Sequence, residues 1–184
     1  MNLKKILGYL IVLVALFLAF FYRKPKITLR PREHNVVRSP AFGRVLKIQD
    51  HPGDHLFIAI FLSPLDIHYQ VSPVNGVVRQ VDYDASGKFE LAYNETKSRM
   101  NEKSIIYIDT PHGTFTLYQI AGFLVRRIDT YVRPRDRVTS GELIGLIKFG
   151  SRVDLIIPKA SQFKLLAREG DYLRGSNSVI GHYI

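Results

Sequence analysis

The 184-residue chain has no cysteine at all. That excludes disulfides, thiolate metal sites and a cysteine nucleophile, and it leaves the redox compartment open. Metal-binding histidine patterns are missing too. His34, His51, His55, His112 and His182 show no H-E-x-x-H-type spacing, so no metal site is expected. Acidic residues are absent from residues 1–32, where Lys4, Lys5, Arg23, Lys24, Lys26, Arg30 and Arg32 stand unopposed. These seven supply most of the formal charge of +10 and leave only +3 over the rest of the chain. Basicity so confined argues against nucleic acid as a partner and suits an anionic membrane surface. Low-complexity tracts are lacking as well. Pro and Gly are scattered and 46% of residues are hydrophobic, enough for one folded domain.

What is there begins with an uncharged run, Ile6–Tyr22. As a helix its 17 residues would cover about 26 Å, near the lower limit for crossing a bilayer. Tyr9, Phe20, Phe21 and Tyr22 read as interfacial aromatics. A cleaved signal peptide is the rival reading, opposed by bulky Phe17, Phe20 and Phe21 where small residues should mark a cleavage site. Five basic residues follow the run and two precede it, which by the positive-inside rule puts the remainder of the chain in the cytoplasm. The expected division is a membrane anchor with a basic linker over 1–32 and a β domain over 33–184.

From Val36 onward, short β-branched and aromatic runs alternate with Gly, Pro, Asn and Asp. Arg44–Gln49, Leu56–Leu62, Gly76–Tyr83, Phe89–Tyr93, Ser104–Thr110, Thr114–Ile120, Leu124–Tyr131, Leu143–Phe149, Val153–Ile157 and Lys164–Leu166 are predicted strands. The spacing indicates an all-β sandwich or barrel behind one N-terminal transmembrane helix. Ser63–His68 is predicted to be a loop, and a short helix is expected near Ala92–Met100. Two Ser-Pro-x-x-Gly segments, Ser39–Gly43 and Ser72–Gly76, each run into a strand, and Arg133–Val138 reads as another turn. Such turns recur in lipoyl-like hybrid folds, where a non-catalytic binding or adaptor domain is as much at home as an enzyme.

Four segments, in order, resemble phosphatidylserine decarboxylases of the short prokaryotic or archaetidylserine type. Phe20-Phe21-Tyr22-Arg23-Lys24-Pro25 is similar to the family's Phe-Phe-Arg-Asp-Pro junction. Phe61–His68 resembles its Met-Ser-Pro-x-Asp-x-His segment. Gln119-Ile120-Ala121-Gly122 with Arg126-Arg127-Ile128 matches Gln-Ile-Ala-Gly…Ala-Arg-Arg-Ile, and Phe149-Gly150-Ser151-Arg152-Val153-Asp154 matches the self-cleavage segment. The resemblance implies cleavage between Gly150 and Ser151 into chains 1–150 and 151–184 that stay partners. Ser151 would become a pyruvoyl cofactor, which engages the amine of a membrane phospholipid substrate and takes up electrons as carbon dioxide leaves. Phosphatidylserine would so become phosphatidylethanolamine. His68 is the expected proton donor, since imidazole exchanges protons near neutral pH, and Asp66 is expected to support it. A non-catalytic, membrane-anchored β-sandwich is the alternative.

The sequence departs from the family in two places. Phe42 stands where aspartate is usual, and Val71 where longer members carry a second histidine. Phe can neither orient an imidazole nor accept a proton, so the departure bears on self-cleavage. Tyr69-Gln70-Val71 likewise replaces the usual Val-Asn-Arg.

Overall fold

Alternation along two strands builds the core. On β3 (His55–Leu62) the side chains of Leu56, Ile58, Ile60 and Leu62 are buried, and on β11 (Ser151–Pro158) so are those of Ser151, Val153, Leu155 and Ile157. Successive side chains of a strand point to opposite faces, so each set shares one face. The two sets meet rung for rung, Ser151 against Leu62 and Val153 against Ile60. Each large aliphatic side chain removed from water this way contributes about 1.5–3 kcal/mol, as an upper figure. The computed structural model describes residues 2–51, 54–85, 101–122, 127–148, 151–159 and 162–184.

Around this pair lie β1 (Val36–Arg38), β2 (Phe42–His51), β4 (Tyr69–Val71), β5 (Gly76–Asp84), β6 (Lys103–Thr110), β7 (Gly113–Ile120) and β8 (Ile128–Thr130). They are joined by β9 (Arg137–Val138), β10 (Leu143–Ile147), β12 (Phe163–Leu165), β13 (Tyr172–Arg174) and β14 (Val179–Tyr183). Eight form one curled antiparallel sheet in the order β13-β2-β3-β11-β7-β6-β5-β9, and two three-stranded sheets, β1-β14-β12 and β4-β10-β8, complete it. The all-β expectation with one apolar helix holds. β11 sits in the interior of the large sheet, paired with both β3 and β7.

The repeated Ser-Pro segments make the same turn twice. Ser39 Oγ donates to the Ala41 carbonyl at 2.7 Å and Ser72 Oγ to the Val74 carbonyl at 2.7 Å. The turns also bond each other reciprocally, Arg38 N to the Pro73 carbonyl and Val71 N to the Pro40 carbonyl. A second twin pair bonds the strands that follow them. In Arg133–Asp136 and Arg168–Asp171 the aspartate accepts the arginine N–H (2.7 and 2.8 Å), and the third residue donates to a strand, Arg135 to Val78 and Gly170 to Val45. The strands that follow the two Ser-Pro turns are thus held by the same kind of contact.

Some boundaries differ from the sequence expectations. β1, β4, β9, β13 and β14 are not among the predicted strands; each has at most five residues, too few to show a clear alternation, and holds its place by pairing. β11 starts two residues earlier than its apolar run, at Ser151. The helix near Ala92–Met100, the strand Phe89–Tyr93 and the start of Leu124–Tyr131 fall outside the described residues.

The anchor helix α1 (Leu3–Phe21) has 19 residues and a mean hydropathy of 2.2. It spans about 28 Å, enough to cross a bilayer. It starts before the uncharged run because Lys4 and Lys5 join its first turn, capped by Asn2 Oδ1 on Lys4 N at 3.2 Å. Its residues are exposed up to Phe20, but Phe21 is fully buried. Phe21 is therefore no interfacial aromatic: its ring packs into the β domain.

The twin turns yield a direct stability test. Arg135 takes φ 79° where its twin Gly170 takes φ 88°, and nothing crowds the place of a Cβ at Gly170. The left-handed region costs a side-chain-bearing residue about 1–2 kcal/mol, so only backbone strain separates the twins. Gly170→Ala should lose about 1 kcal/mol and Arg135→Gly should gain a similar amount. Denaturation midpoints of the detergent-solubilised protein would show the opposed shifts, and equal shifts of one sign would contradict the pairing.

Candidate active site

β3 ends at Leu62, and the loop that follows carries the second motif. Asp66 shapes it: its Oδ2 accepts the Ser63 N–H at 2.8 Å, while its own N–H donates to the Ser63 carbonyl at 2.9 Å. Its Oδ1 accepts the Tyr172 hydroxyl at 2.5 Å. Burial, and then the Asp66 carboxylate, push that phenol up to about 12. The Asp66 carboxylate is thus engaged by the turn and by Tyr172. Its support of His68 runs instead through the backbone, the Asp66 carbonyl accepting His68 Nδ1–H at 2.9 Å.

That bond settles the tautomer of a neutral imidazole. With the proton on Nδ1, Nε2 carries a lone pair. His68 is completely buried, and burial is the main reason its pKa falls to about 4. The Asp66 carbonyl and carboxylate act the other way, and the charge of Arg23 adds to the lowering. Desolvation keeps His68 neutral in this form, with Nε2 unprotonated. Phe21 supplies part of that cover, its ring centroid 4.3 Å from the imidazole.

Ser151 opens β11 opposite Leu62 and is also completely buried. Among the described residues, His68 Nε2 and Ser151 Oγ are both buried without a hydrogen-bond partner, a condition shared only with Arg30 Nε. Buried polar atoms are nearly always paired, so two orphans of complementary type, an acceptor nitrogen and a hydroxyl, single out these two side chains as candidates for chemistry. Ile147, the last residue of β10, donates its N–H to the His68 carbonyl at 3.1 Å. The chain thus leaves the small sheet beside His68 and enters the large sheet at Ser151. Gly150 lies between, outside the described residues.

A buried polar relay sits behind His68. Gln70 Nε2 donates to the His68 carbonyl at 2.6 Å, and Gln119 Nε2 donates to Gln70 Oε1 at 2.7 Å. Thr130 Oγ1 donates to Gln119 Oε1 at 3.3 Å and meets Ser104 Oγ at 2.8 Å. This explains the glutamine of the third motif, which locks the histidine-bearing loop to β7. Gln70 and Tyr172 escaped the sequence reading. Gln70 replaces a usual Asn, and Tyr172 lies far along the chain.

The two departures bring neither acid nor imidazole to the site. The Phe42 ring covers Gly175, filling the place where a Cβ would stand, and Gly175 takes φ 55°. Val71 is a core residue. Arg152 and Asp154 point to the other face of β11, where Arg152 Nε and Nη2 each meet a carboxylate oxygen at 2.8 Å. A groove of about 480 Å³ lined by His51, His55, Lys103, Tyr118 and Asp154 opens on that same far face. Ser151 is not among its lining residues, because strand parity puts Ser151 on the opposite face from Asp154. Among the described residues no group of His, Asp and Glu forms a metal site.

The profile of the phosphatidylserine decarboxylase family matches residues 14–181. A phosphatidylserine decarboxylase proenzyme of Carboxydothermus hydrogenoformans is 38% identical over 181 residues, covering 95% of this chain and 84% of the relative. A Methanopyrus kandleri protein, provisionally assigned as an archaetidylserine decarboxylase proenzyme, is 33% identical over 186 residues, with 95% and 86% covered. A further proenzyme of this name, from Symbiobacterium thermophilum, is 38% identical over 182 residues, with 95% and 83% covered. The word proenzyme describes an enzyme made as a precursor and then processed. With its motifs, its strand-rich fold and matches that run nearly end to end, this chain belongs to the phosphatidylserine decarboxylase family.

Proposed function

We propose that the chain cuts itself between Gly150 and Ser151, and that the product decarboxylates the serine headgroup of phosphatidylserine to ethanolamine at the cytoplasmic face of a membrane. The observation that carries the reading is that two atoms of complementary type are each buried without a partner, Ser151 Oγ at the head of an interior strand and His68 Nε2 on the loop bonded to Ile147, four residues before it. The α1 helix and the basic residues after it support the location.

In the precursor His68 Nε2 takes the proton of Ser151 Oγ, and that oxygen attacks the Gly150 carbonyl. His68 passes that proton to the Ser151 nitrogen as the C–N bond between the two residues breaks and an ester forms. It then takes the Ser151 Cα proton as elimination frees the Gly150 carboxylate and returns it to Cβ, and water replaces the Ser151 nitrogen, which leaves as ammonia. The residues fit the pyruvoyl group so formed: Ser151 is already sequestered from water and fixed by pairing on both sides of β11. That group supplies an electrophile for the substrate amine and a sink for the electrons released with carbon dioxide. In turnover His68 Nε2 would take up a proton from water and hold it for the substrate carbon. Phe21 and the surrounding strands exclude water while it does so. Because positions 42 and 71 offer no base, His68 serves both steps, earlier as base and later as acid.

The chain termini created by the cut remain in place by pairing. β11 is held by β3 and β7, β13 by β2, and β14 by β1. Chains 1–150 and 151–184 should therefore co-purify natively and separate only in denaturant. Ser151→Ala should stay uncut and release no carbon dioxide from phosphatidylserine. Activity in Ser151→Ala would refute the reading.

The pH dependence follows from the state of Nε2. Only neutral His68 can accept the serine proton, so cutting should hold its rate down through mild acidity and fall as pH drops through about 4. Phe21→Ala admits water, weakens the desolvation that lowers the pKa, and should move the acid limb upward toward 6.5. His68→Ala should slow cutting by about 10²–10⁴-fold. Timed gels of newly made precursor read all three. A wild-type acid limb near 6.5, unmoved by Phe21→Ala, would contradict this use of His68.

A further inference from the structure

Arg23 is the first basic residue beyond α1, and it is held in place by several contacts. Its Nη2 donates to the Leu65 carbonyl at 2.7 Å and its Nη1 to the Phe20 carbonyl at 2.8 Å. Its guanidinium lies 3.8 Å over the Phe20 ring. Among the described residues no carboxylate pairs with it. The nearest acid, Asp66, is already engaged by Ser63 N and Tyr172. Yet Arg23 is close enough for its charge to act on both His68 and Tyr172. The side chains flanking it, Phe20 and Leu65, are exposed and apolar, 45% and 64% accessible. A fixed cation without a counter-ion, set between apolar groups where an apolar helix ends, lies at the depth of lipid phosphates.

We infer that Arg23 is the residue that binds the phosphodiester of the substrate lipid and so sets the serine group against Ser151 and His68. This deepens the proposed function and rests on it. Phosphate is the fitting anion. A guanidinium bonded to the substrate carboxylate would stabilise the ground state that must lose carbon dioxide, whereas phosphate keeps its charge throughout the reaction. Binding that is equal in ground state and transition state shows in KM and spares kcat. Arg23 is therefore a specificity-determining residue whose loss is read as weakened lipid capture.

The test uses full-length protein in mixed micelles. Arg23→Gln should be processed like the wild type, keep kcat within about twofold, and raise the KM for phosphatidylserine about 10–100-fold, the worth of a hydrogen bond to a charged group. Arg23→Lys should recover part of the loss. A serine lipid methylated to a neutral phosphotriester should bind the wild type more weakly by a similar factor and show no further loss with Arg23→Gln. An unchanged KM overturns the inference, as does a variant that fails in cutting or in kcat alone, because Arg23 would then only brace the Leu65 turn. Inorganic phosphate should compete only weakly; competition as tight as that of the lipid would make free phosphate the ligand and overturn the lipid assignment. Binding of short-chain phosphatidylserine to uncut Ser151→Ala, with and without Arg23→Gln, decides the matter without turnover. A wild type that neither cuts nor releases carbon dioxide would sink the proposed function, while this binding comparison would still judge Arg23.

Discussion

Pairing of β11 with β3 on one side and β7 on the other is the constraint on which the remaining arrangement depends. It fixes Ser151 at the first rung, opposite Leu62, just where the chain arrives from β10. The same register sorts the side chains by face. Ser151 goes inward with the aliphatic residues, and Arg152 and Asp154 go to the far side as a buried ion pair. A buried pair of this kind adds little net stability, but breaking one partner is costly, so it penalises any slip that would turn Ser151 outward. An interior strand also makes a cut at its head structurally tolerable. Pairing on both sides outlasts one broken peptide bond.

Burial then does the chemical tuning. An imidazole in water would titrate near 6.5, and here it is pushed to about 4 because Phe21 and the sheet deny solvent to its charged form. The Asp66 carbonyl fixes the tautomer, and Gln70 and Gln119 fix the loop. The apolar helix α1 is thus more than an appendage, because its last residue packs against His68. In the proposed function, an element long and apolar enough to cross a bilayer would also cover the histidine and bring the site to the surface where an insoluble substrate resides.

How much of this was legible in the sequence depended on where each residue's reason lies. Long alternating runs such as Leu56–Leu62 show their strands directly, because burial on one face writes a period of two. β13 and β14 do not, since they are short and Arg174, Gly181 and His182 there answer to partners on other strands. The twin of the Arg133–Asp136 turn went unseen because Arg168–Asp171 shares only its first and last residues, although the hydrogen bonds coincide. In the site, His68, Ser151 and Gln119 stood out through motif context. Asp66 was found, but its means of support, a carbonyl in place of the carboxylate, is a matter of loop geometry. Phe21 reads from the sequence as an interfacial aromatic at the end of the anchor. Nothing local distinguishes a phenylalanine facing lipid from one facing an imidazole.

The central claim is that Ser151 is consumed to make the cofactor. Denaturing mass spectrometry of the full-length wild-type protein tests it most directly. The account requires two chains, 1–150 ending in a free Gly150 carboxylate and 151–184 lacking its terminal amino nitrogen and refractory to N-terminal sequencing. A single uncut chain would contradict it, and so would a 151–184 fragment that begins with an intact serine.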